Sequence, residues 1–480
     1  MRISLTADSI AAIAARVAEA NARFQQLYPG DPAGRRPVHT VYGGAQLFKA
    51  GSAQRLGGLA LASLDEYAPD LAAFARALGL PGAATLPESA AEAAALAGAF
   101  AQDEAAARRA HPQAWLAWAV YSRVHKKLHR EPVEDLRIDF EDGYGSRPDA
   151  EEDSHAAAAA EQLAAGMAGG VLPPFIGIRV KSFAPECFGR AVRTLDIVLG
   201  ELAARSGGRL PENFVVTLPK VALTEHVAAL ADLLDLLEAR CGIAPGTVKI
   251  DLMIEMPQAI VDHLGASAVG SLVRAGRTRV GSVAFGTYDY TASCGITARY
   301  QTHTHPAADF ARHSLQAGLA GTGVAISDSA TTTMPIGPHR AAPGQALAEQ
   351  QAENRVAVHA AWRLHYDNIR HSLRNGFYQS WDLHPAQLPV RYAAVYAFFL
   401  ESLPDAAQRL NAFLERAAQA TLVGNTFDDA ATGQGLLNFF LRGLACGALT
   451  EAEVLATGIT LEELRGRSFT QIAANRTKRK

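Results

Sequence analysis

VKIDLMIEMP, residues 248–257, is a short apolar run that carries a carboxylate, Glu255, where the strand it predicts should end. A buried strand has no use for an unpaired charge, so Glu255 is expected to face a site rather than the core. About 34 residues further on, VGSVAFGTYDY (280–290) repeats the pattern, an apolar strand running through Gly286 to Asp289. Two such ends side by side in a parallel sheet suit a hard cation such as Mg²⁺, which takes a few carboxylates, keeps several waters and leaves positions for substrate oxygens. The plainer alternative for either residue is a strand-end salt bridge or a helix cap.

Outward from this pair the chain alternates strand and helix. VHTVYGG gives a first strand at about Val38 to Tyr42, and residues 52–127, rich in Ala and Leu, read as a helical insertion behind it. From Leu136 the texture becomes regular: LRIDFEDGYG, a helix over about 151–168, FIGIRVKSF, a helix, FVVTLPKV, a helix, then the opening stretch. SVAFGTYDY, a helix over about 309–319, GVAISDS, a long helix over about 345–373 and GFYQSWDLHP complete about eight strands. That number suits a closed (β/α)8 TIM barrel of class α/β. An open doubly wound sheet also alternates, but polar groups recur at the strand ends: Asp139, Glu141, Asp142, Arg179, Lys181, Lys220, Glu255, Asp289, Asp328, Asp382 and His384. A barrel converges such ends on one mouth, and one site then accounts for them all. The expected organisation is an N-terminal helix and connector (1–37), a barrel (38–390) containing the insertion 52–127, and a helical C-terminal extension (391–480) interrupted by LVGNTFDDAATGQG at 422–435.

The chain's 480 residues can build a large core, as one domain with additions or as two. A net charge of -3 with scattered basic residues argues against nucleic acid. Cys187, Cys241, Cys294 and Cys446 form no metal spacing and suit a reducing, cytoplasmic setting. TADSIAAIAARVAEA reads as an amphipathic helix capped near Thr6 or Asp8, without the features of a signal peptide, and no apolar run approaches the ~20 residues needed to span a membrane.

Arg179, at a strand end in GIRVKSF, can clamp a carboxylate or a developing enolate oxygen with its planar donor fork. DFEDGYG places three acids in four residues, so Glu141 and Asp142 are expected to hold water or support the metal rather than bind it, with a plain Asp-Gly turn as the alternative. Lys220 in TLPK either serves the site or only pairs with Glu141 or Asp142, and His384 either touches substrate or locks the barrel closed. His303 and His305 lack a third zinc ligand and read as a loop. The hydroxyl-rich SDSATTTMPIGPH could hold an anion but has no phosphate-loop pattern, and neither GxGxxG nor GxSxG occurs.

The ordered blocks IDFED, IRVKS, LPKV, IEMPQAI, FGTYDY, AISD and WDLHPAQ resemble the citrate lyase beta subunit and HpcH/HpaI aldolase superfamily, as a divergent bacterial member, over about Val38 to Tyr392. The resemblance implies a (β/α) barrel with Glu255 and Asp289 as Mg²⁺ ligands. Arg179 would then hold the substrate's carboxylate or enolate oxygen, with Glu141 and Asp142 around the metal and Lys220 and His384 near the mouth. In acyl-CoA members a C-terminal glycine and a following aspartate reach a neighbouring subunit, which would make VGNTFDD, with Asp428 or Asp429, the counterpart and the protein a homo-oligomer. The chain departs from the family in TVYGG, where an apolar run ending in proline is usual, in the helical insertion, and in Lys181 and Ser182, which replace an asparagine. The implied activity is a Mg²⁺-dependent carbon–carbon lyase or condensing enzyme acting on a small 2-oxo acid or a hydroxyacyl-CoA. The competing reading is a catalytically lapsed barrel that binds metal and carboxylate as a scaffold or sensor.

Overall fold

Eight short strands close on themselves: β1 (His39–Gly44), β2 (Asp135–Asp139), β3 (Phe175–Arg179), β4 (Phe214–Leu218), β5 (Lys249–Ile254), β6 (Val280–Phe285), β7 (Ala325–Ala330) and β8 (Gln379–Asp382). Each pairs parallel with the next, and β8 returns to β1 with Thr40 opposite Trp381 and Val41 opposite Asp382. This is a (β/α)8 barrel. The computed structural model describes residues 5–30, 32, 34–340, 347–415, 421–423, 426–428, 430–466, 468, 471–472 and 475–476.

Helix α1 (Ala7–Leu27) precedes the barrel, capped by Thr6, whose Oγ1 accepts from the Ser9 N–H at 3.3 Å. Between β1 and β2 come α2 (Ser52–Tyr67), α3 (Leu71–Leu78), α4 (Ala90–Gln102), α5 (Glu104–Ala110) and α6 (Trp115–Arg130). Of these, α3 lies against the outer helices, with Phe74 edge-on to Trp362 at 5.9 Å. The later connections hold α7 (Asp149–Gly169), α8 (Phe188–Ser206), α9 (Thr224–Cys241), α10 (Pro257–Ile260), α11 (Val269–Ala275), α12 (Thr287–Ser293), α13 (Pro306–Leu319) and α14 (Ala348–Arg374). After β8 the chain forms α15 (Leu388–Glu415), α16 (Ala430–Ala445), α17 (Glu451–Leu455) and α18 (Leu461–Arg465). The interruption expected at 422–435 holds an antiparallel hairpin instead, β9 (Thr421–Val423) with β10 (Thr426–Asp428), and α16 begins inside the expected break. No helix among the described residues is long and apolar enough to cross a membrane.

Strand alternation sorts the side chains. In β2, Leu136 and Ile138 are buried on one face, while Asp135, Arg137 and Asp139 share the other. The second face builds a polar layer inside the barrel. Gln379 donates to Thr40 at 2.9 Å, Thr40 to Asp135 at 3.0 Å, Arg137 pairs with Asp135 and reaches Thr217 at 3.3 Å, and Thr217 donates to Asp251 at 3.0 Å. Apolar strand runs therefore describe the helix-facing surface, and the interior is hydrogen-bonded.

Two acids expected at the mouth turn outward. Asp328 is wholly buried against Arg312 (2.7 Å) and Ser372 (2.6 Å), with His303 Nε2 at 3.3 Å. Asp382 accepts from His39 Nδ1 at 2.9 Å, His365 Nε2 at 3.0 Å and Arg391 Nη2 at 2.8 Å. Since His39 Nε2 also accepts from the Glu134 N–H at 3.0 Å, this cluster ties β1, β8, α14 and α15 into one seam. Burial alone would raise the Asp382 carboxyl, but Arg391, His365 and His39 outweigh it and hold it well below its ordinary 3.8. Asp328 is likewise held down against burial by His303 and Arg312, while burial keeps His303 and His365 below their ordinary 6.5.

All four groups have folded values below their unfolded ones, so the unfolded chain binds more protons as the pH falls. Their stabilisation is complete above about 6.5, shrinks as the histidines' unfolded value is crossed, and shrinks again below about 3.8. In Glu255→Gln, which removes the opposing titration of the one carboxyl raised to about 8, the melting temperature should therefore fall from pH 6.5 to pH 5, and a flat profile in that variant would contradict this assignment. Asp382→Asn, which leaves Arg391 buried without its charge partner, should cost about 3–5 kcal/mol in urea denaturation at pH 7.5.

Candidate active site

The mouth is organised by one carboxylate at the end of β2. Asp139 accepts Arg179 Nε at 2.7 Å and Arg179 Nη2 at 2.5 Å, the two-pronged geometry that a guanidinium fork allows. The same carboxylate accepts the backbone N–H of Glu141 at 3.0 Å and of Gly143 at 2.7 Å, so it also folds the DFEDGYG turn over itself. A Cβ on Gly143 would stand 2.5 Å from Asp139 Oδ2, which is why this turn takes glycine. With two donors fixed, Arg179 directs Nη1 toward Glu141 Oε2 (3.1 Å) and Met253 Sδ (3.5 Å), and its guanidinium lies over Tyr42 at 4.8 Å.

Lys220 follows β4 in a left-handed conformation, φ +52°, uncommon outside glycine. Its ammonium pairs with Glu141 and, at 3.3 Å, with Asp142, while its backbone N–H donates to Glu255 Oε1 at 2.8 Å. Lys220 thus makes the pairing with Glu141 and Asp142 that one sequence alternative describes, and it does so beside Glu255. Burial holds the Glu141 carboxyl above its ordinary range despite Arg179 and Lys220; against burial, those cations draw the exposed Asp142 below its own.

Glu255, immediately beyond β5, is 2 % exposed. Burial, reinforced by Asp289 and Glu141 and opposed by Lys220, pushes its carboxyl up to about 8. Asp289 lies in the first turn of α12, and among the described residues no side chain pairs with it. The strand ends approach so closely that a Cβ on Gly286 would meet Glu255 Oε2 at 2.7 Å and Glu255 Cβ at 2.8 Å. Two cations, Arg179 and Lys220, thus face five carboxylates: Asp139, Glu141, Asp142, Glu255 and Asp289. Such an excess of acid around a buried carboxylate fits a divalent cation. Among the described residues no three or more His, Cys, Asp or Glu side chains form a metal-holding group. Mg²⁺, which needs only one or two protein carboxylates and completes its shell with water and substrate, is compatible with that donor set.

The remaining residues have contacts of their own. His384 Nδ1 accepts from the Ala386 N–H at 3.2 Å and caps the turn after β8; closing the barrel falls to Asp382. Lys181 is tied to Glu152 of α7 at 2.8 Å. His303 is buried in the Asp328 cluster, and His305 caps α13 through the Ala307 N–H at 3.1 Å. Asp428 ends β10, but its side chain lies outside the described residues, as does all of Asp429. Sequence reading missed the part of the mouth made by Tyr42, Met253 and Trp381. Trp381 packs on Tyr42 at 4.9 Å, and its buried indole N–H has no acceptor among the described residues. An aromatic residue beside the WDLHP histidine was the available signal.

Residues 17–472 match the family model described as "Domain of unknown function (DUF6986)". No curated protein matches the chain. A citrate lyase structure from Burkholderia xenovorans LB400 is similar at 18% identity and TM-score 0.52, covering 71% of this chain and 92% of that one. A malate synthase from Haloferax volcanii, solved as a magnesium and glyoxylate complex, aligns at 16% identity and TM-score 0.38, covering 72% and 88%. The first of these shares the fold.

Gly286→Ala tests the packing of the two strand ends. The added methyl should displace Glu255 and cost about 1–3 kcal/mol in urea denaturation, with no comparable loss from Gly281→Ala, where a Cβ meets open space. Equal stability of the Gly286 variant would contradict the close approach.

Proposed function

The chain belongs to the DUF6986 family, and from the mouth that its barrel builds we propose a Mg²⁺-dependent carbon–carbon lyase or condensing enzyme. Its substrate would be a small 2-oxo acid or a hydroxyacyl-CoA. The observation that carries the reading is the buried Glu255 beside Asp289, set in an excess of carboxylates and within the same mouth as the anchored fork of Arg179. The shared fold with a citrate lyase agrees with it.

Glu255 and Asp289 would hold the metal, which when bound supplies Lewis-acid polarisation of a substrate carbonyl oxygen. Arg179 keeps its charge at every working pH, and its Nη1, which faces Glu141 and Met253 rather than Asp139, is the donor that a substrate carboxylate, or the oxygen on which charge grows as the C–C bond breaks, would take over. Asp139 holds that donor in place, so little reorganisation is needed when the charge develops. Lys220 adds a second positive charge beside Glu141 and Asp142. Glu141, held above its ordinary range, is suited to carry a proton at its carboxyl and pass it to the leaving carbon, either directly or through one water. Trp381 Nε1–H is a further donor for a substrate oxygen.

Purified protein assayed with Mg²⁺ should release a 2-oxo acid from 4-hydroxy-2-oxo acids, or cleave or form a hydroxyacyl-CoA, with Asp428→Asn affecting only the thioester reaction. Glu255→Ala should lower kcat/KM about 1,000-fold, and Arg179→Lys, which cannot keep the two-pronged contact with Asp139, about 100-fold. Turnover unchanged in Glu255→Ala would exclude the proposed site.

A further inference from the structure

Every side chain described in α1 is exposed, although the helix runs for 21 residues. Its larger apolar residues are bare: Ile10 is 39 % exposed, Ile13 54 %, Val17 51 %, Phe24 62 % and Leu27 63 %. A helix of this length draws most of its stability from a packed face, and the barrel does not cover this one.

The spacing identifies the kind of surface that would cover it. Ile10, Ile13, Val17, Ala20, Phe24 and Leu27 alternate steps of three and four, with Ile10, Val17 and Phe24 at a positions and Ile13, Ala20 and Leu27 at d positions of a heptad. A repeat of 3.5 residues keeps a narrow apolar seam facing another helix along its whole length. A lipid surface is a poorer fit, because the helix carries only Arg16 and Arg23, balanced by Asp8 and Glu19, and lacks the basic polar face that binds anionic lipid.

We propose that α1 is an association arm whose seam pairs, parallel and in register, with α1 of a second copy of this chain. Charge decides the direction. Heptad numbering puts Ser9, Arg16 and Arg23 along one flank of the seam and Ala14, Asn21 and Tyr28 along the other. Parallel pairing sets each flank of one helix against the opposite flank of its partner, so Arg16 meets an asparagine, while Arg23 keeps its 2.8 Å ion pair with Glu19 of its own helix. Antiparallel pairing sets the Arg16 and Arg23 flank against itself, and like charges at that distance repel.

Full-length protein carrying Ala20→Cys, a d position, should form an intermolecular disulfide under mild oxidation. Wild type, with its exposed Cys294, and Ala15→Cys on the opposite face should not. The double variant Ile13→Asp, Val17→Asp should weaken self-association in sedimentation equilibrium about 100-fold or more while leaving the barrel's circular dichroism unchanged. The proposal is overturned if Ala20→Cys does not cross-link, or if the double variant associates like wild type. It is also overturned if cross-links form instead between Val17→Cys and Ala20→Cys chains, or if wild type but not the double variant sediments with phosphatidylserine vesicles.

Discussion

Asp139 is the side chain on which the mouth of this barrel depends. It sits at the end of β2, wholly buried, and takes four donors at once: two from the Arg179 fork and two backbone N–H groups from the turn that follows. Taking such a pair out of water costs more than its attraction returns unless every lone pair is satisfied. Here the backbone donors complete the set. The result is geometric more than stabilising: Arg179 is aimed, and Glu141 and Asp142 are brought above it on a turn that cannot open without exposing a buried charge.

Lys220 joins this anchored pair to the other half of the mouth. Its left-handed backbone, a conformation that costs a non-glycine residue of order 1 kcal/mol, points its N–H at Glu255 while its ammonium reaches Glu141 and Asp142. Strain of this kind persists where surrounding contacts fix it, and here both ends of the residue are fixed. Acid remains in excess even so. Glu255 is buried next to Asp289, and among the described residues its hydrogen-bond donor is the Lys220 backbone N–H, an arrangement that makes chemical sense if the mouth is completed by a cation.

Much of this was legible in the sequence because barrel strands end at the site. A carboxylate closing an apolar run, as at Glu255, or a cation closing one, as at Arg179, marks the mouth without any knowledge of neighbours. The same rule misplaced Asp328 and Asp382. Both are strand residues, but the alternation of side chains turns them outward to Arg312 and Arg391, and their partners His303, His365 and His39 lie too far along the chain for local spacing to reveal them. Trp381 was missed for the opposite reason, since an aromatic side chain reads as core until its unpaired N–H is seen. The hairpin at Thr421–Asp428 was hidden by its brevity, three residues to a strand. The heptad of α1 was present in the sequence as amphipathicity, and acquired its meaning once its apolar side chains proved to be uncovered.

The central claim is that Glu255 stands in its buried position to hold a divalent cation. Calorimetric titration of Mg²⁺ into the wild type and into Glu255→Ala, each with pyruvate present, tests it most directly. Saturable binding in the wild type that is lost in the variant is the predicted result. Equal heats from both proteins, or none from either, would contradict it and leave the excess acid at the barrel mouth to another cause.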